Sequence, residues 1–367
     1  MKETEKCSYR AIGLMSGTSL DGLDMACCDL LFDKGSWDFR ILHTKTIDYN
    51  KSWLERLKNL SVSEHEKLHR TDVAYGNYIG QAVRKFLSDH QIKDVRLIAS
   101  HGHTVAHRPD VGLTLQIGNG QKIADITDCT VVCDFRKADV ALGGQGAPLV
   151  PVGDELLFSE YAFCLNLGGF ANISFRDRSG IRRALDICPV NLALNLLASE
   201  HCNALYDDCG HIAASGSVHP ELLSALNSLE FYSRKPPKSL GKEWFDAVFV
   251  RALSTYDIPL PDKLATVCRH IAIQIANVVY DANKGVVSRM IISGGGAYNR
   301  HLISEIEKIS GVDIVIPTEE IINFREALIF ALLGVLKLRS EVNSLASVTG
   351  ASADSSSGEI FHPAVAR

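Results

Sequence analysis

The sequence lacks the features that mark membrane, secreted and nucleic-acid-binding proteins. No apolar run reaches the ~18 residues that a membrane span requires. Residues 1–6 carry charge where a signal peptide would have an apolar core. The net charge of −5 leaves no broad basic surface for nucleic acid. We therefore expect a cytoplasmic protein that has neither a membrane nor a nucleic acid as a partner.

The sequence also lacks a cysteine spacing typical of metal or disulfide chemistry. Its ten cysteines include no Cys-x-x-Cys pair, and several of them, such as Cys27 and Cys164, lie in apolar runs. A thiol in such a run behaves as a small buried hydrophobic group, so we expect reduced cysteines. The 367 residues, 46% of them hydrophobic, are enough for two domains of ordinary size, each with its own core.

The pattern of apolar and β-branched residues predicts an α/β fold. Strands are predicted at 9–16, 24–32, 38–48, 95–100, 112–117, 130–135, 163–167, 171–175, 289–293 and 312–316. Helices are predicted at 64–89, 190–205, 262–283, 299–309 and 324–338. We divide the chain into an N-terminal domain, 1–140, and a C-terminal domain, 141–339. The small polar residues of 339–358 predict a loop or a mobile tail, with the alternative that 340–367 packs back on the first domain.

Three glycine-rich turns follow predicted strands. The first spans Gly17, Thr18, Ser19, Leu20, Asp21, Gly22, Leu23 and Asp24; the second contains Gly168 and Gly169; the third is Gly294, Gly295 and Gly296. Glycine lets backbone N–H groups approach a phosphate closely, and hydroxyls can add hydrogen bonds. Two similar hairpins, one opening each half, predict a duplicated structure that clamps phosphates, with the third turn beneath an adenosine. Asp21 or Asp24 is a candidate ligand for a metal ion.

Other polar residues stand at or after predicted strands. Arg136 follows a strand and is a candidate contact for a sugar or a phosphate, although an ordinary ion pair is the alternative. The loop that contains His101, His103 and His107 has spacings that also suggest a zinc site with an activated water. Asp186, at a strand end, is a candidate functional carboxylate.

Eight segments, in order, resemble the anhydro-N-acetylmuramic acid kinase family over about residues 9–362. They are GLMSGTSLDGLD (13–24), SHGHTV (100–105), LTLQIG (113–118), DFR (134–136), ALGGQGAPLVP (141–151), NLGGFAN (166–172), PKSLGK (237–242) and SVTGAS (347–352). The resemblance implies the two-domain fold of actin-like ATPases, a duplicated ribonuclease H-like fold with an interdomain cleft. That superfamily also contains sugar kinases and heat-shock ATPases.

The resemblance implies an ATP- and Mg²⁺-dependent reaction of cell-wall recycling. Water opens the internal bridge of 1,6-anhydro-N-acetylmuramic acid at C1, and O6 accepts the γ-phosphoryl group. The products are N-acetylmuramic acid 6-phosphate and ADP. Such a reaction needs a carboxylate base, a metal ion on the phosphates and donors that fix the sugar. The partners are small molecules, and the family suggests a homodimer.

The resemblance also implies roles for individual residues. Asp186 is the base, and the three glycine turns bind ATP. The residues expected to contact the sugar are His103, Thr104, Arg136, Asn191 and Glu326. Asp21 and Asp24 are expected to hold Mg²⁺ through the phosphates.

The sequence departs from the family pattern next to the base. The usual Asp-Thr-Gly-Pro-Gly-Asn reads Asp-Ile-Cys-Pro-Val-Asn at 186–191, and His103 stands where the family usually has Gln. The lost glycines predict a stiffer loop and leave a kinase of another amino sugar as an alternative. An ATP-binding interaction protein of the actin or heat-shock type and a histidine-dependent metallohydrolase are further alternatives.

Overall fold

The structure is a computed structural model that describes residues 6–17, 20–202, 204–235, 238–283 and 288–364. Across these residues no helix is both long enough and apolar enough to cross a membrane.

Strands and helices of the described residues are numbered in chain order. The strands are β1 (Cys7–Met15), β2 (Leu23–Asp33), β3 (Ser36–Ile47), β4 (Leu97–Ser100), β5 (His103–Arg108), β6 (Leu113–Ile117), β7 (Val131–Cys133), β8 (Phe163–Leu167), β9 (Phe170–Arg176), β10 (Arg182–Pro189), β11 (Arg289–Ser293), β12 (Asp313–Val315) and β13 (Glu359–Phe361). The helices are α1 (Lys51–Lys58), α2 (His65–Asp89), α3 (Gly120–Thr127), α4 (Lys137–Ala141), α5 (Pro151–Leu157), α6 (Asn191–Cys202), α7 (His211–Ser215), α8 (Pro220–Asn227), α9 (Glu230–Ser233), α10 (Lys242–Trp244), α11 (Val250–Ser254), α12 (Leu260–Asn283), α13 (Arg300–Ser310), α14 (Glu319–Leu338) and α15 (Ala346–Thr349). A π-helical turn, Phe245–Phe249, joins α10 to α11.

The chain divides into two compact units. The first unit is Met1–Leu157 with Phe324–Arg367, and the second unit is Phe158–Asn323. This division falls later than the predicted boundary at 140, because α5 packs against β3 of the first sheet. It also divides α14, most of which belongs to the first unit.

The first unit contains a six-stranded sheet in the order β13-β7-β4-β1-β2-β3. Strands β1, β2 and β3 form an antiparallel meander, and β4 and β7 run parallel to β1. Gly13 lets α14 lie against β1, because a Cβ at this position would be only 1.7 Å from the Ala327 carbonyl oxygen. The apolar face of α2, including Tyr75, Ile79 and Phe86, is fully buried in this unit's core.

The second unit contains a five-stranded sheet in the order β10-β9-β8-β11-β12. Strands β8, β9 and β10 form an antiparallel meander, and β11 and β12 run parallel to β8. When the strands are numbered by chain order within each of these two sheets, and the extra edge strand β13 is left out, both sheets have the order 3-2-1-4-5. This repetition confirms the predicted duplicated α/β fold.

Three expectations about local structure are wrong. His103 and His107 lie in a strand, β5, and not in a loop, because β6 makes the backbone hydrogen bonds of β5, whereas His101 does lie in the loop before it. Asp186 lies within β10, which continues to Pro189, and not at the end of a strand. The polar segment after α14 is not a mobile tail, because Asn343 and Ser357 are buried and hydrogen-bonded to one another within the first unit. The helices between 211 and 254 were not predicted.

Candidate active site

The first glycine turn connects β1 to β2 in the first unit. The Leu20 N–H donates to the Gly17 carbonyl oxygen at 3.2 Å, which closes the turn. Gly22 is buried, and a Cβ there would lie 2.8 Å from the Ile47 carbonyl oxygen. Only glycine therefore allows the turn to pack so closely against β3. The predicted phosphate contacts Thr18 and Ser19 lie outside the described residues.

A buried polar network supports this turn from behind. The Tyr49 hydroxyl donates to Ser16 Oγ at 2.8 Å, and Ser16 Oγ lies 3.4 Å from His103 Nδ1. His103 is only 4% exposed, and burial lowers its pKa to about 4, so the ring is neutral at pH 7. Thr104, the next predicted sugar contact, is half-buried, and its Oγ1 accepts a weak hydrogen bond from Gln116 at 3.4 Å.

Two carboxylates follow the same turn. Asp21 is exposed, whereas Asp24 is half-buried and accepts a hydrogen bond from Thr46 Oγ1 at 2.6 Å. Burial raises the pKa of Asp24, and the charge of Asp21 acts in the same direction. A divalent cation would relieve this repulsion, and carboxylate oxygens are the ligands that Mg²⁺ prefers. The residues present therefore fit the predicted metal.

Arg136 is held by a neutral histidine in the first unit. His101 Nδ1 donates to the Gly102 carbonyl oxygen at 2.8 Å, which leaves Nε2 to accept from Arg136 Nη2 at 2.8 Å. Burial and the charge of Arg136 lower the His101 pKa to about 3. Arg136 Nη1 also donates to the Gly146 carbonyl oxygen at 2.6 Å. These bonds fix the guanidinium without neutralising its charge.

The carboxylate whose charge raises the Arg136 pKa most is Glu326. Burial lowers the Arg136 pKa to about 10, and the charges of Glu326 and Asp139 oppose that shift. Glu326 itself is exposed in the first turns of α14, next to the buried ion pair between Arg325 and Asp154. The first unit thus presents an arginine and an exposed carboxylate together.

The three histidines of this region do not form a metal site. His101 bonds Arg136, His103 lies against Ser16, and His107 Nδ1 is 3.0 Å from Thr114 Oγ1. Within the part of the chain that the structure describes, no three His, Cys, Asp or Glu side chains converge as a metal site would require. The spacing that suggested zinc therefore does not make a metal site, because each of the three rings has a different partner.

The second glycine turn lies in the second unit, between β8 and β9. The Val190 N–H donates to Gly169 O at 2.8 Å, and the Asn191 N–H donates to Gly168 O at 3.1 Å. These bonds hold the turn against the start of α6. The N–H groups at the start of α6 are thereby already paired with carbonyl oxygens, since Leu192 also donates to Gly169 O and Ala193 to Val190 O.

The third glycine turn packs on the end of β8. Gly294 has a φ of +80°, and a Cβ there would lie 2.6 Å from Asn166 Oδ1. A Cβ at Gly296 would lie 2.6 Å from Leu167 Cβ. The Asn191 side chain donates to Leu167 O at 3.0 Å. Asn191 thus connects the second turn to the third.

A cavity of about 880 Å³ opens beside the third turn. Its lining includes Gly295, Asn191, Tyr206, Tyr298 and Arg300, and the two tyrosines are 59% and 44% exposed. Exposed aromatic faces, neighbouring polar groups and a backbone without side chains suit a flat nucleoside. Sequence reasoning found the glycines but missed the tyrosines, which follow no recognisable motif.

Asp186 is half-buried in the middle of β10, the edge strand of the second sheet. The strand has a bulge between Asp186 and Cys188. Asp186 Oδ2 accepts a hydrogen bond from the Leu240 N–H at 2.9 Å. Burial raises the Asp186 pKa, and this hydrogen bond opposes the shift. Among the described residues no cation contributes to the shift of the Asp186 pKa.

The residues that depart from the family pattern at 187–190 face the core of the second unit. Ile187 is 2% exposed, and Cys188 and Val190 are fully buried among apolar side chains. Cys188 and Val190, which stand where the family has glycine, fill space that glycines would leave empty. The departure at 187–190 therefore changes the packing under β10 and leaves the exposed surface of this segment alone.

Comparisons with known proteins agree on one family. The family model for anhydro-N-acetylmuramic acid kinase matches residues 9–363. An anhydro-N-acetylmuramic acid kinase of Pseudomonas syringae pv. tomato is 34% identical over 364 residues, which cover 95% of this chain and 98% of the relative. One of Coxiella burnetii is 35% identical and covers 96% of this chain and 97% of the relative.

Similarity to solved structures is low. The activator of the 2-hydroxyisocaproyl-CoA dehydratase from Clostridium difficile with bound ADPNP has a TM-score of 0.43 and 14% sequence identity. The match covers 88% of this chain and 93% of that chain. At this level the likeness assigns neither a ligand nor a role.

Proposed function

Because the chain belongs to the anhydro-N-acetylmuramic acid kinase family, we infer that it converts ATP, water and 1,6-anhydro-N-acetylmuramic acid into ADP and N-acetylmuramic acid 6-phosphate. Oxygen from water bonds to C1 while the bond from C1 to O6 breaks. O6 takes the γ-phosphoryl group, and the proton from water passes to a base. The reaction therefore needs one basic atom beside the water and several donors around the phosphates.

The base in this proposal is Asp186, and its surroundings are the observation that carries the assignment. A carboxylate paired with a cation would be a weak base, because the cation lowers its pKa. Asp186 instead has one neutral donor, the Leu240 N–H, on Oδ2. Burial raises its pKa towards the range in which a carboxylate accepts a proton efficiently. Its second oxygen, Oδ1, is the atom that takes the proton from water.

In this proposal the first glycine turn of the first unit and the second glycine turn of the second unit are each candidate contacts for phosphate. The Leu20 N–H closes the first turn on the Gly17 carbonyl, and the N–H groups of Val190 and Asn191 close the second turn on the carbonyls of Gly169 and Gly168. Asp21 and Asp24 would hold Mg²⁺, which neutralises charge on the phosphates when it is bound. The buried Ser16 and His103 keep the first turn in place, so the role of His103 in this proposal is to support the turn from the protein interior.

The adenosine occupies the cavity beside the third turn. Gly295 lines this cavity and lets the nucleoside approach the backbone, and Tyr206 and Tyr298 provide aromatic faces. Asn191 lines the same cavity. Because Asn191 lies in this cavity, we expect it to contact the nucleotide and not the sugar.

The sugar is bound by the charged and polar groups of the first unit. Arg136 keeps its charge while its orientation is fixed by His101 and Gly146. The lactyl carboxylate of the substrate is a suitable partner for that guanidinium. Glu326 and Thr104 are the further acceptor and donor in this proposal. Location in the cytoplasm and a homodimer stay predictions.

A kinase of another amino sugar has less support. The altered residues Ile187, Cys188 and Val190 are buried in the core of the second unit. A change of substrate by these residues would have to act indirectly, through the backbone of β10.

The test is ADP release from purified protein with 1,6-anhydro-N-acetylmuramic acid, compared with N-acetylmuramic acid and N-acetylglucosamine. We expect turnover with the anhydro sugar, and a product heavier by one phosphate group and one water. The Asp186→Asn variant should lose about 10²- to 10⁴-fold in kcat while its Kd for ATP stays unchanged. Phosphorylation of an intact ring by the wild type would overturn the proposed reaction. Normal kcat in Asp186→Asn would overturn the base.

A further inference from the structure

We propose that residues Lys238, Ser239 and Leu240, here termed the 238–240 segment, position the carboxylate of Asp186. The inference rests on the proposed function, because it concerns the residue assigned as the base. The sequence pattern of the segment does not indicate this role.

The segment lies along an unpaired edge. Strand β10 is the edge strand of its sheet, and an edge strand has backbone groups with no partner strand. The Asp186 N–H donates to the Lys238 carbonyl oxygen at 3.4 Å. The Leu240 N–H then donates to Asp186 Oδ2 at 2.9 Å. One residue of the strand is therefore held through both its backbone and its side chain.

The bulge in β10 makes this double contact necessary. The pairing of β10 with β9 shifts between Asp186 and Cys188, and a bulge disrupts the ladder and re-aims a side chain. A carboxylate on such a backbone would have freedom to rotate. The Leu240 N–H removes that freedom, because a hydrogen bond to Oδ2 fixes the plane of the carboxylate and leaves Oδ1 for the water.

The segment is itself anchored to the aromatic cluster of the second unit. Lys238 Nζ lies 4.7 Å from the centre of the Phe231 ring and 3.4 Å from the Phe231 carbonyl oxygen. Phe231 is 2% exposed and packs against Trp244, 5.4 Å between ring centres. The lysine charge is thus directed to an aromatic face and a carbonyl, and it forms no salt bridge with Asp186. The segment supplies a neutral donor without supplying a cation that would weaken the base.

The inference predicts a shift in the pH dependence of catalysis. The Leu240 N–H stabilises the charged carboxylate, so its loss raises the Asp186 pKa. The acidic limb of the kcat/KM profile should then move to higher pH by about one unit, because the base must be ionised to work. The KM for ATP should not change.

The experiment replaces Leu240 by its α-hydroxy acid, which substitutes an ester oxygen for the N–H and keeps the side chain. The same replacement at Leu229 is the matched control, since its N–H donates to the Leu226 carbonyl oxygen at 3.3 Å. We expect the acidic limb to move in the first variant and not in the second. An unmoved limb at Leu240, or an equal movement at Leu229, would overturn the inference.

A second measurement uses the intact chain if the ester fails to fold. The amide proton of Leu240 should follow the titration of Asp186 in an NMR pH series, and Asp186→Asn should abolish that titration. A Leu240 amide that titrates identically in both proteins, or in neither, would overturn the positioning role. If Asp186→Asn keeps its activity, the base assignment fails instead, so the two failures can be told apart.

Discussion

Replacing Gly294 by alanine tests the nucleotide turn against a neighbouring glycine in the same chain. Alanine is strained at a φ of +80°, which costs about 1–2 kcal/mol. Its Cβ would also stand 2.6 Å from Asn166 Oδ1 and 2.9 Å from the Leu167 backbone. Overpacking of this kind adds about 1–3 kcal/mol. The expected loss of stability in the second unit is therefore about 2–5 kcal/mol.

Gly295→Ala is the matched control for this change. The nearest protein atom to a Cβ at this position is Asn191 Nδ2 at 3.5 Å, which is an ordinary contact. Calorimetry should show a Tm lowered by roughly 5–15 °C in Gly294→Ala and almost unchanged in Gly295→Ala. Titration calorimetry with MgATP should show at least about tenfold weaker binding in Gly294→Ala. Equal Tm values in the two variants would refute the close packing on which the argument depends.

Two further predictions concern stability. Asp139 is fully buried and accepts hydrogen bonds from Ser344 Oγ, Thr349 Oγ1 and the Gly146 N–H at 2.7–2.8 Å. Asp139→Ala should cost the first unit about 3–5 kcal/mol in urea unfolding and Asp139→Asn about 1–2 kcal/mol, because asparagine keeps one acceptor oxygen; equal losses would contradict this. Burial lowers the His270 pKa from 6.5 to about 3, so stability that is present above pH 6.5 should fall by up to about 1.4 kcal/mol per pH unit as the pH drops towards 3. Urea unfolding of the second unit at pH 7, 6 and 5 should show this slope, and His270→Gln should reduce it; the same slope in both proteins would exclude His270 as its source.

The strands and glycine turns could be predicted because their signals are local. Gly168 and Gly169 follow one apolar strand, and Gly294, Gly295 and Gly296 follow another. The second turn is held by hydrogen bonds, and the third turn packs on the end of β8. Residue type and spacing are sufficient for such a prediction. The repeated pattern predicted the duplication of the fold, whereas the strand order of the two sheets was not predicted.

The hydrogen-bond partners of the functional side chains could not be predicted, because these partners are distant in sequence. The donor to Asp186 is 54 residues away, and His101 is 35 residues from Arg136. Asp139 holds Ser344 across 205 residues, which makes an apparent polar tail part of the first unit. A single sequence has no signal for these pairings. It also gave no reason to expect that Asn191 would line the cavity beside the third turn.

The residues at 187–190 that depart from the family pattern lie next to the proposed base, Asp186, in β10 or directly after it. Ile187, Cys188 and Val190 pack beneath β10, and the 238–240 segment covers its edge. Glycines would leave this backbone free to adopt several conformations, whereas the larger side chains fix it from the core. A base must be held within a fraction of an ångström of its water to be effective. Buried side chains on one side of the strand and two hydrogen bonds on the other can hold the base in this position. The substitutions at 187–190 are therefore compatible with catalysis by Asp186.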